Sequence, residues 1–187
     1  MKLKGGLLGA LLGVAVISMS AVASAAAEGG HEDGVPGDVK SAVATIAPRS
    51  GSEVQGTATF ARKGGKVQLT LVLQNLTPGV HAVHLHETGD CSDPEGKSAG
   101  AHWNPSAMPH GKWGAPAHLG DIGNVVADKN GKATFKMTTE LWTIGGSAET
   151  NVLGKAVIVH KSEDDFKTQP TGNAGGRIGC GVVQPKK

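Results

Sequence analysis

His84-Leu85-His86 sits in an alternating apolar run, and further along come His102, His110, His118 and Asp121, then His160. Residues i and i+2 of an extended strand project from one face, so the first two imidazoles can reach one ion. Taken alone, a His-x-His pair reads more simply as polar surface. The later residues change the balance, because His102, His110, His118 and Asp121 follow one another at intervals of eight, eight and three through a Gly/Pro-containing stretch. Imidazole suits copper and zinc, and three imidazoles with one carboxylate are a common zinc set. A His-rich, zinc-buffering loop is the plainer alternative, and it would cluster histidines without this ordered spacing.

Those side chains need a scaffold, and the hydrophobic pattern supplies one. Residues 66–74 put Val67, Leu69, Leu71 and Leu73 on one face and Gln68, Thr70 and Gln74 on the other, with Val72 the exception. That is a half-buried strand. Similar runs at about 40–46, 54–60, 80–87, 122–127, 132–138, 155–160 and 178–184 bring the expected total to eight strands. Gly64-Gly65 and Asp128-Lys129-Asn130-Gly131 mark hairpin connections. No helical period competes, so the fold class is all-β, an antiparallel barrel or sandwich. Tyr is absent and Gly reaches 29 of 187 residues, which fits an aliphatic core and many turns. Two connections, roughly 88–120 and 161–177, lack alternation; they hold or flank the histidines, which favours function over disorder.

The chain opens with Lys2 and Lys4, then an apolar stretch from about Leu7 to Met19, then small residues ending in Ala23-Ser24-Ala25. This is the order of a secretory signal peptide over 1–25, cut after Ala25, the alternative being an uncleaved anchor. No Cys follows the apolar run to take a lipid. Residues 26–38 read as a flexible lead-in that includes His31, and 39–187 as the one folded domain. The expected product is exported, periplasmic or extracellular, with no stable membrane association after signal cleavage. Losing Lys2 and Lys4 takes Lys+Arg from 18 to 16 against 16 Asp+Glu. A neutral mature chain without a basic cluster argues against nucleic acid or an anionic membrane as partner. Cys91 and Cys180, in an oxidising compartment, most simply make one disulfide; free thiols or metal ligation are the alternatives, and neither Cys has a C-x-x-C partner.

The segments Gly79-Val80-His81-Ala82-Val83-His84-Leu85-His86-Glu87, Gly89-Asp90-Cys91, Ala99-Gly100-Ala101-His102-Trp103-Asn104-Pro105, His118-Leu119-Gly120-Asp121 and Gly175-Gly176-Arg177-Ile178-Gly179-Cys180-Gly181 together resemble the copper/zinc superoxide dismutase family, over essentially all of residues 40 to 184. The resemblance implies an eight-stranded Greek-key barrel or flattened sandwich with two long functional loops, and one copper and one zinc per chain. By position it implies His84, His86, His102 and His160 as copper ligands and His102, His110, His118 and Asp121 as zinc ligands. His102 is then a bridge, which requires its ring to lose its second proton. Asp164 resembles the carboxylate linking His84 to His110, and His81 a non-ligand histidine that ties backbone segments together behind the copper. Arg177 resembles the arginine that attracts and orients superoxide, with the disulfide anchoring a ligand-bearing loop beside it.

The implied activity is dismutation of superoxide to O2 and H2O2, with His102 acting as a general acid. A copper or zinc carrier on the same fold without turnover is the alternative, and the complete ligand set with Arg177 argues against it. Ala82, Val83 and Gly179 depart from the usual pattern at packing positions. The stretch from His160 to Arg177 is shorter than in eukaryotic relatives, which leaves Lys161 and Lys167 only as candidates for steering the anion. No interface is legible, and a homodimer stays open.

Overall fold

The structure is a computed structural model that describes residues 39–187; the expected signal peptide, the expected lead-in and His31 lie outside the described residues. The strands are β1 Ser41–Pro48, β2 Gln55–Lys63, β3 Lys66–Gln74, β4 Gly79–His86, β5 Gly123–Ala127, β6 Ala133–Thr139, β7 Ala156–His160, β8 Arg177–Val182 and a two-residue β9 Gln184–Pro185. Alternation is as expected in β3, where Val67, Leu69, Leu71 and Leu73 are buried while Val72 is 48% exposed. A strand that faces water on one side needs apolar residues only at every second position.

The strands run in the order β5-β4-β7-β8-β1-β2-β3-β6, with β9 beside β1, and their pairs are antiparallel. β1 makes the corner, because residues 41–46 pair with β2 while Ala47 and Pro48 pair with β8. The result is a flattened, nearly closed Greek-key barrel whose end strands β5 and β6 lie alongside each other without pairing. Its core is aliphatic around Phe60 and Trp142, whose ring centroids are 5.9 Å apart.

β4 from His81 onward and all of β7 are buried on both faces, and this positions the site. Val83, Leu85, Val157 and Val159 belong to the main core. By strand alternation His84, His86 and His160 point to the opposite face. There Ala156, Ile158 and Cys180 form a second apolar cluster with Ala99, against which Cys91 packs. The disulfide between Cys91 and Cys180, Cα atoms 5.8 Å apart, fastens the 87–122 connection over that cluster. Constraining an unfolded loop of that length is worth up to about 4.5 kcal/mol on chain entropy alone.

Three long connections are present among the described residues, where two were expected. The third, 140–155, was not recognised because it is rich in apolar residues: Trp142, Ile144 and Val152 are all buried, and Trp142 Nε1 donates to Leu119 O at 2.9 Å. It plugs the barrel and braces the 87–122 connection.

Candidate metal centre

β4 and β7 are adjacent, with His84 opposite Ile158 and His86 opposite Ala156, and β7 ends at His160. His102 is brought to β4 by a short antiparallel contact in which His102 pairs with His86 and Trp103 N donates to Leu85 O at 2.9 Å. One donor atom from each of His84, His86, His102 and His160 lies within 4.8 Å of those of the other three. All four side chains are buried.

The outward nitrogens of three of these rings are occupied. His84 Nε2 contacts Asp164 Oδ2 at 2.9 Å, His86 Nδ1 contacts Gly100 O at 2.9 Å, and His160 Nδ1 contacts Gly175 O at 3.2 Å. The remaining nitrogens, His84 Nδ1, His86 Nε2, His102 Nε2 and His160 Nε2, are buried without a hydrogen-bond partner. A buried polar atom left unpaired costs about 1–3 kcal/mol, so four of them converging are a poor arrangement for anything except an ion.

A second group shares His102. Its Nδ1 lies 2.8 Å from Asp121 Oδ1, His118 Nδ1 lies 3.2 Å from the same oxygen, and the two nitrogens are 3.4 Å apart. His110 Nδ1 is 3.0 Å from that oxygen and yet makes no hydrogen bond to it. A tetrahedral ion with ligands at about 2.0–2.1 Å spaces its donors about 3.3 Å apart. Three imidazoles crowding one carboxylate oxygen are better explained as the corners of such a site than as competing hydrogen bonds. Asp121 Oδ2 is turned away and accepts from Gly111 N and His118 N, each at 3.1 Å.

Electrostatics favour the neutral, metal-binding form of the His84, His86, His118 and His160 rings. Burial pushes His84 and His86 well below the ordinary histidine value, with His102 adding to it. Burial takes His160 down to about 4, despite its bond to Gly175. His118 is lowered by burial, against the opposing pull of Asp121. Burial alone would raise Asp121, but hydrogen bonds from His102 and Gly111 and the neighbouring His110 and His118 outweigh it and hold its carboxyl low.

Asp164 spans the two groups, with Oδ2 on His84 and Oδ1 2.9 Å from His110 Nε2. His81 holds backbone on two sides, with Nδ1 3.0 Å from His160 O and Nε2 2.9 Å from Thr77 O. Arg177 donates from Nη1 to Gly96 O and from Nη2 to Gly100 O, both at 2.7 Å. Gly100 O therefore serves Arg177 and His86 together. Gly100 has φ +74, and a Cβ there would come 2.7 Å from Glu87 Oε1, so glycine is needed where this carbonyl turns inward. Burial lowers the Arg177 guanidinium from its ordinary value, with Asp93 acting against it.

Arg177 lines a cleft of about 450 Å³ with Ser50, Glu95, Lys97, Gly175 and Gly176. Lys161 and Lys167, the steering candidates, are exposed and do not line it. A wider cleft of about 660 Å³ reaches His102 and His118. The sequence reading missed Asn124, which brackets Asp164 by accepting from its N at 2.8 Å and donating to its O at 2.9 Å. It also missed Arg49, whose guanidinium donates to Cys91 O. Both act on backbone, and no spacing rule announces such contacts.

Fold and site together fit a metalloprotein: an antiparallel barrel carrying two buried, adjacent donor groups, each able to hold an ion, that share one imidazole. Comparison with known proteins then gives the family. Residues 54–183 match the family described as copper/zinc superoxide dismutase (SODC). The chain is 39% identical over 150 residues to "Superoxide dismutase (Cu-Zn)" of Caulobacter vibrioides, covering 77% of this chain and 86% of that one. It is 38% identical over 154 residues to the protein of the same name from Paramecium bursaria Chlorella virus 1, covering 78% and 80%. Among solved structures, the crystal structure of the clock protein EA4 superposes with a TM-score of 0.70 at 34% identity, covering 79% of this chain and 95% of that one. The chain belongs to the copper/zinc superoxide dismutase family.

Proposed function

We propose that the chain dismutates superoxide, two superoxide anions and two protons giving O2 and H2O2, at a copper held by His84, His86, His102 and His160. Zinc is held beside it by His102, His110, His118 and Asp121. The observation that carries this reading is the four buried ring nitrogens without partners on one side of His102, with three imidazoles gathered round one Asp121 oxygen on the other. When bound, the copper supplies one-electron exchange with superoxide.

The chain's own residues do the rest. Arg177, pinned by two carbonyls, presents a fixed positive charge that attracts the anion and orients it by hydrogen bonding. Its tie to His86 through Gly100 O keeps that charge in register with the ligand ring. His102 Nε2 takes up a proton in one half of the cycle and delivers it to the reduced oxygen in the other, as a general acid. His102 Nδ1, beside Asp121, would keep the ring in place while Nε2 gains and gives up the proton. Asp164 fixes the orientation of His84 and His110, so the two sites cannot drift apart.

Export supports the same reading. The Cys91–Cys180 bond suits an oxidising compartment, and no helix among the described residues is long and apolar enough to cross a membrane. We take residues 1–25 as a cleaved signal, 26–38 as a lead-in and 39–187 as the enzyme domain, periplasmic or extracellular. Metal analysis together with superoxide consumption tests the proposal. One copper and one zinc per chain, with many superoxide ions consumed per chain, is expected. Full metal loading with consumption limited to one superoxide per copper would make the chain a carrier.

A further inference from the structure

Gln169 belongs to the 161–176 connection and is exposed, yet its amide makes the pair of bonds that a neighbouring strand would make. His110 N donates to Gln169 Oε1 at 2.8 Å, and Gln169 Nε2 donates to His110 O at 2.8 Å. His110 lies outside every strand, and its N and O have no backbone partner among the described residues. Its ring is held by the same connection, through Asp164 Oδ1 on Nε2.

The connection is firm enough to act as a fixed wall. Asp165 accepts from Lys167 N at 2.9 Å, from Thr168 N at 2.8 Å and from Thr168 Oγ1 at 2.6 Å. Gly172 N donates to Thr168 O at 2.7 Å, and Asp165 N donates to Gly172 O at 2.9 Å. Gly172, with φ +67, lies flat on the Asp164–His110 contact: a Cβ there would overlap Asp164 Oδ1 and come 2.6 Å from His110 Nε2. Only bare backbone can approach so closely.

We propose that Gln169 is a positioning residue for His110, replacing the strand pairing its peptide lacks and fastening the 161–176 connection to the zinc side of the centre. Two hydrogen bonds to one peptide unit fix its plane and therefore the direction of the Cα–Cβ bond. Asp164 then fixes the ring, and Nδ1 is aimed before an ion arrives. Release of the ion through movement of His110 must break both amide bonds. By linkage, an ion at that site orders the connection that runs up to Arg177. This rests on the reading of His110 as a zinc ligand.

The test uses the full metallated protein and two readouts besides turnover: zinc release to a chromophoric chelator, and the visible spectrum after zinc is exchanged for Co(II). Gln169→Ala should release zinc about tenfold faster, at the low end of what residues supporting metal ligands contribute, and should shift the Co(II) bands. Thr171→Ala removes an exposed hydroxyl from the same connection and leaves the amide and the Thr168–Asp165 bonds alone, so it should change neither. Parent-like release and spectrum in Gln169→Ala, or equal effects of the two variants, would overturn the proposal. A His110→Ala protein with the parent's Co(II) spectrum would overturn the ligand reading beneath it as well.

Discussion

The two halves of the metal centre are built from different material. On the side proposed for copper, His84, His86 and His160 stand on β4 and β7, neighbours in a barrel whose core continues directly beneath them. On the side proposed for zinc, His110, His118 and Asp121 come from the irregular 87–122 connection, held by turns, a plugging loop and a clamp from the 161–176 connection. His102 belongs to both. A strand site is held by the same packing that holds the domain, so its donors stay aligned through a change of charge. A loop site is held by a few polar clamps, and an ion there adds to the order they supply. The proposed function therefore puts the redox work on the rigid half and the metal-dependent order on the other.

The sharpest way to break this comparison is to damage the rigid half. His160→Ala removes a strand-borne donor without touching the zinc group, and superoxide consumption should fall by at least about a hundredfold, beyond the loss seen for residues that merely support a ligand. Metal analysis should find copper lost and zinc retained. Loss of both ions in equal measure would show that the two halves are not separable.

Arg177 comes next, because it couples to the copper side through Gly100 O. Arg177→Glu should slow superoxide decay by about tenfold or more through reversal of the local field, and Arg177→Lys by a few-fold, since the charge remains and the planar fork is lost. The parent's rate should fall as salt shortens the reach of charge to about 10 Å at 0.1 M. Pulse radiolysis at several ionic strengths reads both effects, and a flat salt profile would remove Arg177 from capture of the anion.

Asp121→Ala attacks the loop half. The melting temperature of the metallated protein should drop by roughly 5–10 °C, as expected for loss of a well-occupied ion. Activity per bound copper should change far less than in His160→Ala. Calorimetry with copper-normalised assays checks this, and an unchanged melting temperature would deny the zinc side its ordering role.

The smallest effect tests the clamp's own footing. Bonds from the Thr168 side chain, then from the Thr168 and Lys167 amides, lower the Asp165 carboxyl to about 2. A carboxyl lowered by folding stabilises the protein above its unfolded value, near 4, and that contribution is lost as pH falls towards 2. Asp165→Asn should therefore melt slightly below the parent at pH 6, with the gap closing at pH 3. A gap that persists unchanged at pH 3 would mean the charge of Asp165 is not what holds the connection.

Much of this was legible before the structure, for a physical reason: metal donors and strand alternation are both carried by side-chain identity. Lys66–Gln74 was read with the bounds observed, and every residue of the two groups was named from spacing and resemblance. What stayed hidden is carried by backbone. The carbonyls of Gly100 and Gly175, which occupy the outer nitrogens of His86 and His160, leave no mark in a sequence. Gln169 looks like any polar loop residue until the chain brings it to His110. The 140–155 connection was hidden the opposite way, since its buried Trp142, Ile144 and Val152 imitate strand composition.

The central claim is that turnover belongs to an ion on the strand-borne donors, with zinc on the loop-borne donors as support. A copper titration of protein already carrying one zinc per chain tests it most directly, with superoxide decay followed by pulse radiolysis at each step. The decay rate should rise in proportion to bound copper and stop rising at one copper per chain. A rate already at its maximum with zinc alone, or no rise at full copper loading, would contradict the account.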